Sequence, residues 1–418
     1  MPARTRGCVE SFALHACDRE VPRREDGPLC SVGGRFALSD FLPARRLRGI
    51  EKSIIRQVFD RARPGSINLG LGEPDLPTPD CIREAAARVI REEQNGYTIH
   101  AGLKSLRERV AGDYSHLRLT PDQVIITAGS QEALYLALMT IVDEGDEVLI
   151  PDPGFVAYPT IVRMAGGVPV RYRLPASRDF AFDAEDFRSR LSPRTKVVVS
   201  ISPSNPTGRV LSRDELREMA VALQETNALV ISDEIYRDLY FTHERPASIS
   251  EYYANTLIIG GLSKSMSMTG WRLGWMCGIE SVVRSALILH GYVTTCASTV
   301  SQKAALAAWT VEGENARREA RQKFLERRDY LLALLEEKIG LHSVTPDGAF
   351  YTMVKVDDDS MRVAEAMLEH GVITVPGAAF GEEGESYLRV SFCADKPVLA
   401  EGVRRMGEAL RIETSEKI

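Results

Sequence analysis

NTLIIGGLSKSMSMTGWRLGW, Asn255–Trp275, carries the pattern from which the rest of the chain can be read. Thr256–Ile259 is a short apolar, β-branched run of the kind that forms a buried strand. Gly260 and Gly261 are expected to end it, and Lys264 follows where a chain leaving a strand turns over the rim of a sheet. A lysine there has a bland reading, as a surface cation after a strand. It also has a chemical one, because burial or a cationic neighbour lowers an amine's pKa from about 10.4 and makes it a nucleophile. Gly270-Trp271-Arg272 then adds a second cation with a planar, bidentate head.

Upstream, short apolar runs alternate with helical spacing from Asp80 to about Gly278. Val124–Thr127, Val148–Ile150, Val197–Ile201 and Leu229–Ile231 read as strands, and residues 79–93, 131–142 and 212–226 as helices. Such alternation means βαβ units and an α/β fold, with a mostly parallel sheet covered by helices on both faces. Past Ser281 the pattern turns helical, with a long charged amphipathic helix around Glu312–Ile339. Short strands at Ala349–Val356, Val372–Val375 and Tyr387–Phe392 and a last helix then make a second, smaller α+β domain. Before Asp80, Ile54, Ile55, Val58 and Phe59 mark one helix face, and Ser66–Leu69 a short strand. Gly70-Leu71-Gly72-Glu73-Pro74-Asp75 superficially matches a dinucleotide fingerprint, but Asp75 takes the third glycine's place and prolines follow, so that reading fails. The expected organisation is an extension over 1–40, a segment 41–78 belonging to the smaller domain, a large domain over 79–320 and the smaller domain over 321–418.

A chain of 418 residues with 44 % hydrophobic and 26 % charged residues suits a soluble globular protein with more than one domain. Its 52 basic and 58 acidic residues, net −6, give no footprint for nucleic acid or an anionic membrane. No apolar run reaches the length of a membrane span. The 7 cysteines are scattered without CxxC spacing, which argues against a disulfide framework or a metal site and points to the cytoplasm. Residues 1–40 are rich in Arg, Gly, Pro and Cys without a helical or strand period. They lack the apolar core of a secretory signal and the acid-poor composition of a transit peptide, and are expected to be poorly ordered.

Ligands of open parallel sheets sit beyond the carboxyl ends of the strands. After Val124–Thr127 comes Gly129-Ser130-Gln131-Glu132, a glycine turn into a helix whose free amides make an anion seat. Phe155 follows the second strand, Asn205-Pro206 the third, as a plausible cis bond, and Asp233 and Tyr236 the fourth. Singly, each has a bland reading: Asp233 as a cap, Asn205 as a turn former, Phe155 as core, Ser130 as an N-cap. Together with Lys264 they form one rim holding an amine, an aromatic face, a carboxylate, an amide, a phenol and a phosphate seat. That inventory matches a planar, aldehyde-bearing pyridine with a phosphate arm.

Over roughly residues 45–412 the chain resembles the class I/II (fold-type I) aminotransferases dependent on pyridoxal 5′-phosphate, in particular the aspartate/aromatic/alanine aminotransferase-like subgroup. The motifs are GSQEAL at 129–134, SNPTG at 204–208, SDEIY at 232–236, SKSMSMTGWRLGW at 263–275 and LRVSF at 388–392. The resemblance implies that Lys264 holds the cofactor as a Schiff base and later serves as general base at the substrate α-carbon. It implies that Asp233 pairs with the pyridinium nitrogen, Tyr236 and Asn205 bond the ring hydroxyl, and Phe155 stacks on the ring. Ser130, the Gln131 backbone and Arg272 would take the phosphate, with Tyr97 reaching the phosphate of a neighbouring subunit in a homodimer. Arg389, preceding a C-terminal strand, would bind the substrate α-carboxylate, with Gly72 closing over it. The substrates implied are an amino acid and a 2-oxo acid. Many relatives place a serine three residues before the lysine; here Gly261 stands there, leaving a thinner phosphate shell or Ser263 as substitute. Some aspartate-using relatives place a lysine after the small residues of the phosphate turn. Gln131 occupies that position, so neutral donors are expected unless Arg45, Arg46 or a partner's arginine supplies the charge.

A β-eliminating C–S lyase on the same fold is the alternative, and would release pyruvate and ammonia without an oxo acid acceptor. A DNA-binding regulator would need a helix-turn-helix pattern that residues 1–40 lack, and a nicotinamide oxidoreductase its glycine fingerprint. Because residues 1–40 offer no periodic apolar face to dock on a core, a chain beginning at Ser39 is expected to be dimeric and fully active. Loss of solubility or of cofactor on trimming would show that the extension is part of the fold.

Overall fold

Runs of β-branched and apolar residues that bury both faces make the centre of the molecule. A computed structural model describes residues 44–416, with side chains to residue 411. The expectation of disorder over 1–40 lies outside the described residues. The strands are β1 (Ile67–Asn68), β2 (Val124–Thr127), β3 (Glu147–Asp152), β4 (Val168–Arg173), β5 (Thr195–Ile201) and β6 (Leu229–Asp233). There follow β7 (Thr256–Gly261), β8 (Gly274–Gly278), β9 (Tyr351–Lys355), β10 (Val372–Ile373), β11 (Val375–Pro376) and β12 (Tyr387–Ser391).

Seven of these form one sheet in the order β2-β8-β7-β6-β5-β3-β4. Neighbours pair in parallel from β4 through to β7, and β8 runs antiparallel to both β7 and β2. The carboxyl ends of β2, β3, β5, β6 and β7 therefore share one rim. Every residue of β2, β3, β6, β7 and β8 is buried, as a sheet covered on both faces requires.

Several expectations need correcting. The strand at Thr256 does not stop before Gly260 but runs through Gly261. A side chain at Gly260 would meet Trp275 Nε1 at 2.4 Å, so the glycine makes room inside the sheet instead of ending the strand. β4 and β8 had not been foreseen. Val372–Val375 is two short strands: β10 pairs with β1, and β11 with β12. Arg389 lies within β12 and not ahead of it, opposite Met353 of β9 and Val375 of β11.

Helices cover the sheet. Ser130–Ile141 springs from the end of β2, and Arg213–Leu223 starts at Ser212 with a capping box closed by Glu215. The helix Val311–Ile339 runs 29 residues, capped by the Thr310 side chain. It contributes Phe324, Leu331 and Leu335 to the same apolar cluster as Ile231 and Ile259 of the sheet and Leu388 and Val390 of β12. Each such fully buried side chain stabilises the fold by about 1.5–3 kcal/mol. The described residues, 44–416, form one compact unit, and no helix among them is long and apolar enough to cross a membrane.

Candidate active site

Beyond the rim lies a cavity of about 280 Å³, lined by Gly72, Ser130, Gln131, Phe155, Asn205, Asp233, Tyr236, Ser263, Lys264, Arg272 and Arg389 among others. A larger one, about 930 Å³, opens at the other ends of the strands beside Asp146, Arg194 and Thr195 and holds no comparable set. Thus the residues read from sequence as holding cofactor or substrate carboxylate reach the smaller cavity, except Tyr97, which is 88 % exposed on the surface; Arg46, named as a possible extra cation, does not line it.

Lys264 stands in the chain between Leu262 and Met266, both buried in the core. Its Nζ donates to the Gly72 carbonyl at 2.7 Å. Burial lowers the amine's pKa, and the positive charges of Arg389 and Arg272 act in the same direction. Asp233 ends β6 and is buried; its carboxylate accepts from the Tyr158 hydroxyl at 2.8 Å and from the Ile235 amide at 3.2 Å. Burial pushes its carboxyl up to about 6, against the pull of those bonds.

Arg389 is 3 % exposed, so its donors matter individually. Nη1 donates to Asn205 Oδ1 at 2.8 Å and Nη2 to the Gly70 carbonyl at 2.5 Å, while the buried Nε has no partner. The guanidinium lies between the rings of Tyr351 and Phe380, at 4.2 and 4.8 Å from their centroids. Asn205-Pro206 is cis, as expected, as are Asp152-Pro153 and Ser202-Pro203. Tyr236 bonds the Tyr351 hydroxyl at 3.0 Å, and burial lifts its phenol well above the ordinary range.

The anion seat follows from Gly129, whose φ of 90° turns the chain into the helix at Ser130. A side chain at Gly129 would meet Arg272 Nη2 at 2.5 Å, so the glycine also lets the guanidinium lie over the turn. Arg272, itself at φ 51°, donates to the carbonyls of Thr269 (2.9 Å) and Ala128 (3.3 Å). Gly261 is crowded by Ile235 and Leu273, with contacts of 3.0 and 3.1 Å awaiting any Cβ, so a serine there would have to displace its neighbours. Ser263 lies buried on the cavity wall instead.

Tyr158 and Tyr351 were missed from sequence. Tyr158 stands three residues after Phe155, and Tyr351 heads β9, but their partners lie 75 and 115 residues away along the chain. Tyr351 also explains Gly72: a Cβ there would fall 1.5 Å from the phenol oxygen.

The donor set suits pyridoxal 5′-phosphate. Helix-start amides and Arg272 match a phosphate arm, a buried carboxylate matches a pyridinium nitrogen, and a low-pKa amine matches an aldehyde. A family model, aminotransferase class I and II, matches residues 64–406. The aspartate aminotransferase of Pyrococcus horikoshii is 34 % identical over 381 residues, covering 88 % of this chain and 97 % of that protein. The aromatic-amino-acid aminotransferase 2 of Thermococcus litoralis is 35 % identical over 392 residues, covering 90 % and 99 %. Among solved structures, the aspartate aminotransferase from Thermus thermophilus with maleate superposes with a TM-score of 0.84 at 33 % identity, covering 88 % of this chain and all of that one. The chain therefore belongs to the class I and II aminotransferases, and is a fold-type I transaminase that works with pyridoxal 5′-phosphate.

Proposed function

We propose that Lys264 is the residue on which this transaminase carries its cofactor and moves the substrate proton. The observation that carries the reading is an amine of lowered pKa facing, across one cavity, a buried carboxylate and a buried guanidinium with a bare donor. When bound, pyridoxal 5′-phosphate supplies an aldehyde that takes up the amino group and an electron-poor ring that draws charge from the α-carbon. Asp233 bonds the ring nitrogen, a charge-assisted contact worth roughly 1.5–3 kcal/mol. Tyr158 bonds that carboxylate and fixes its orientation, while Tyr236 and Asn205 would bond the ring hydroxyl and Phe155 would stack on the ring. The amides of Ser130 and Gln131, with Arg272 and Ser263, receive the phosphate. Arg389 offers Nε and the free N–H positions of its fork to the substrate carboxylate, under Gly72. Lys264 Nζ, which rests on the Gly72 carbonyl in the cofactor-free protein, would serve as general base for the α-proton, a role worth about 10²–10⁴ in rate.

Three larger-scale readings accompany this one. Tyr97, Ile99, Ile288 and Tyr292 are 88, 61, 65 and 89 % exposed, and the His100 ring abuts Gly291, joining the two stretches into one apolar patch. A second copy covering it would make the homodimer in which Tyr97 reaches the neighbouring phosphate. Residues 41–78 belong with 321–418 as a smaller domain beside 79–320, a division supported by the pairing of β1 with β10. Free cysteines at 81, 277, 296 and 393 fit a cytoplasmic location.

Lys264→Ala is expected to abolish both turnover and the visible absorption of the loaded enzyme while the fold persists. Borohydride reduction and peptide mapping check it, and label on another lysine would sink the assignment.

In the cofactor-free protein Asp233 adds a pH signature. Because its carboxyl pKa rises from 3.8 to about 6 on folding, the associated stability is present below the lower value and lost as pH climbs through the upper one. Removing the phenol that stabilises the ionised form should move that loss to higher pH in Tyr158→Phe. Urea midpoints measured across the acid range for both proteins test this, and coincident profiles would refute it.

The donor side chain is expected to be neutral. The cations lining the cavity are Lys264, Arg272 and Arg389, each already assigned, and Gln131, Ile55 and Leu71 complete the mouth. A second carboxylate without a partner there would cost several kcal/mol. Alanine, methionine or phenylalanine should therefore give a higher kcat/KM than aspartate, although several relatives are named for aspartate. A preference for aspartate of about tenfold, roughly 1.4 kcal/mol, would mean that an unassigned cation enters the site.

A further inference from the structure

Glu132 is the third residue of the helix Ser130–Ile141. An acidic side chain in a first turn is ordinarily a solvated partner of the helix dipole. Here it is not solvated. Its side chain is 8 % exposed and faces His290, which is fully buried. One carboxylate oxygen accepts from the Thr294 hydroxyl and lies 3.0 Å from His290 Nδ1; the other accepts from the Ala128 amide. Burial alone would raise this carboxyl's pKa, and the bonds from His290, Thr294 and Ala128 reverse the effect and leave it below the ordinary range.

The Ala128 bond gives the arrangement its meaning. Within residues 127–129 the backbone is bonded inward throughout. Gly129 N donates to the Thr127 carbonyl at 2.8 Å, and the Thr127 hydroxyl donates to the Gly129 carbonyl at 3.0 Å. The Ala128 carbonyl accepts from Arg272, and its N–H is taken by Glu132. The residues that follow at the start of the helix, Ser130 and Gln131, line the cavity. A carboxylate close to a phosphate seat repels the anion, so its presence is unfavourable unless it does something else. What it does is tether Ala128 from behind, with His290 and Thr294 anchoring it to the end of the helix Glu280–Val293.

We propose that Glu132 is a positioning residue for the cofactor phosphate, acting through Ala128 on the turn that receives it. The proposal rests on the reading of that turn as the phosphate seat. Glu132 is not among the residues lining the cavity, so its influence on the phosphate runs through the turn alone.

The experiment compares two aldehydes on the full-length chain stripped of cofactor: pyridoxal 5′-phosphate, and pyridoxal without the phosphate. Binding is followed by the absorbance change that Lys264→Ala abolishes, so wild-type binding of both ligands controls for the site itself. Glu132→Leu is expected to weaken pyridoxal 5′-phosphate roughly tenfold or more and pyridoxal by at most about twofold, the size of a lost charge-assisted bond. Glu132→Gln, which keeps one acceptor for Ala128, should recover most of the loss. Should Glu132→Leu fail to fold, Thr294→Val removes one anchor and is expected to weaken only the phosphorylated ligand. Equal weakening of both aldehydes, or none for either, would overturn the proposal.

Discussion

The site depends on one buried guanidinium. Arg389 is drawn out of water on the middle strand of the smaller sheet, and an uncompensated charge there would cost several kcal/mol. It is compensated from three separate parts of the chain: Asn205 after β5, the carbonyl of Gly70 ahead of the large sheet, and the faces of Tyr351 and Phe380. Satisfying this one charge draws the N-terminal turn, the rim and the C-terminal strands together. The donor left over, Nε, faces no protein acceptor.

The rim was legible because it is written in strand ends. A parallel sheet buried on both faces needs uninterrupted apolar runs, and the polar residue after each run marks where the chain emerges. Other parts were illegible for equally physical reasons. β4 contains Pro169 and two arginines and reads poorly as a strand, but it lies at the sheet's edge, where a proline is tolerated. β8 is Gly-Trp-Met-Cys-Gly, without a β-branched residue, and is a strand because β7 and β2 flank it. Gly260 and Gly261 read as terminators, whereas the bulk of Trp275 and Ile235 requires them small. Tyr158, Tyr351 and Glu132 belong to the site through partners distant in sequence, which local pattern does not reveal.

The same contrast separates the two faces of the phosphate turn. Its front, GSQ, is a recognisable composition. Its back is a set of hydrogen bonds among Thr127, Ala128, Glu132 and a helix more than a hundred residues later, groups that only the fold brings together.

The turn Gly70–Asp75 has a mechanical consequence. Lys264 holds its Gly72 carbonyl, Arg389 its Gly70 carbonyl, and Arg327 grips Asp75 through paired contacts of 2.6 and 2.9 Å. Arg327 sits mid-way along a helix of 29 residues, about 44 Å of stiff rod at 1.5 Å per residue. The rod, the amine and the guanidinium are thus all tied to one turn of six residues, so that a shift of any one of them strains a bond to the same short stretch of backbone.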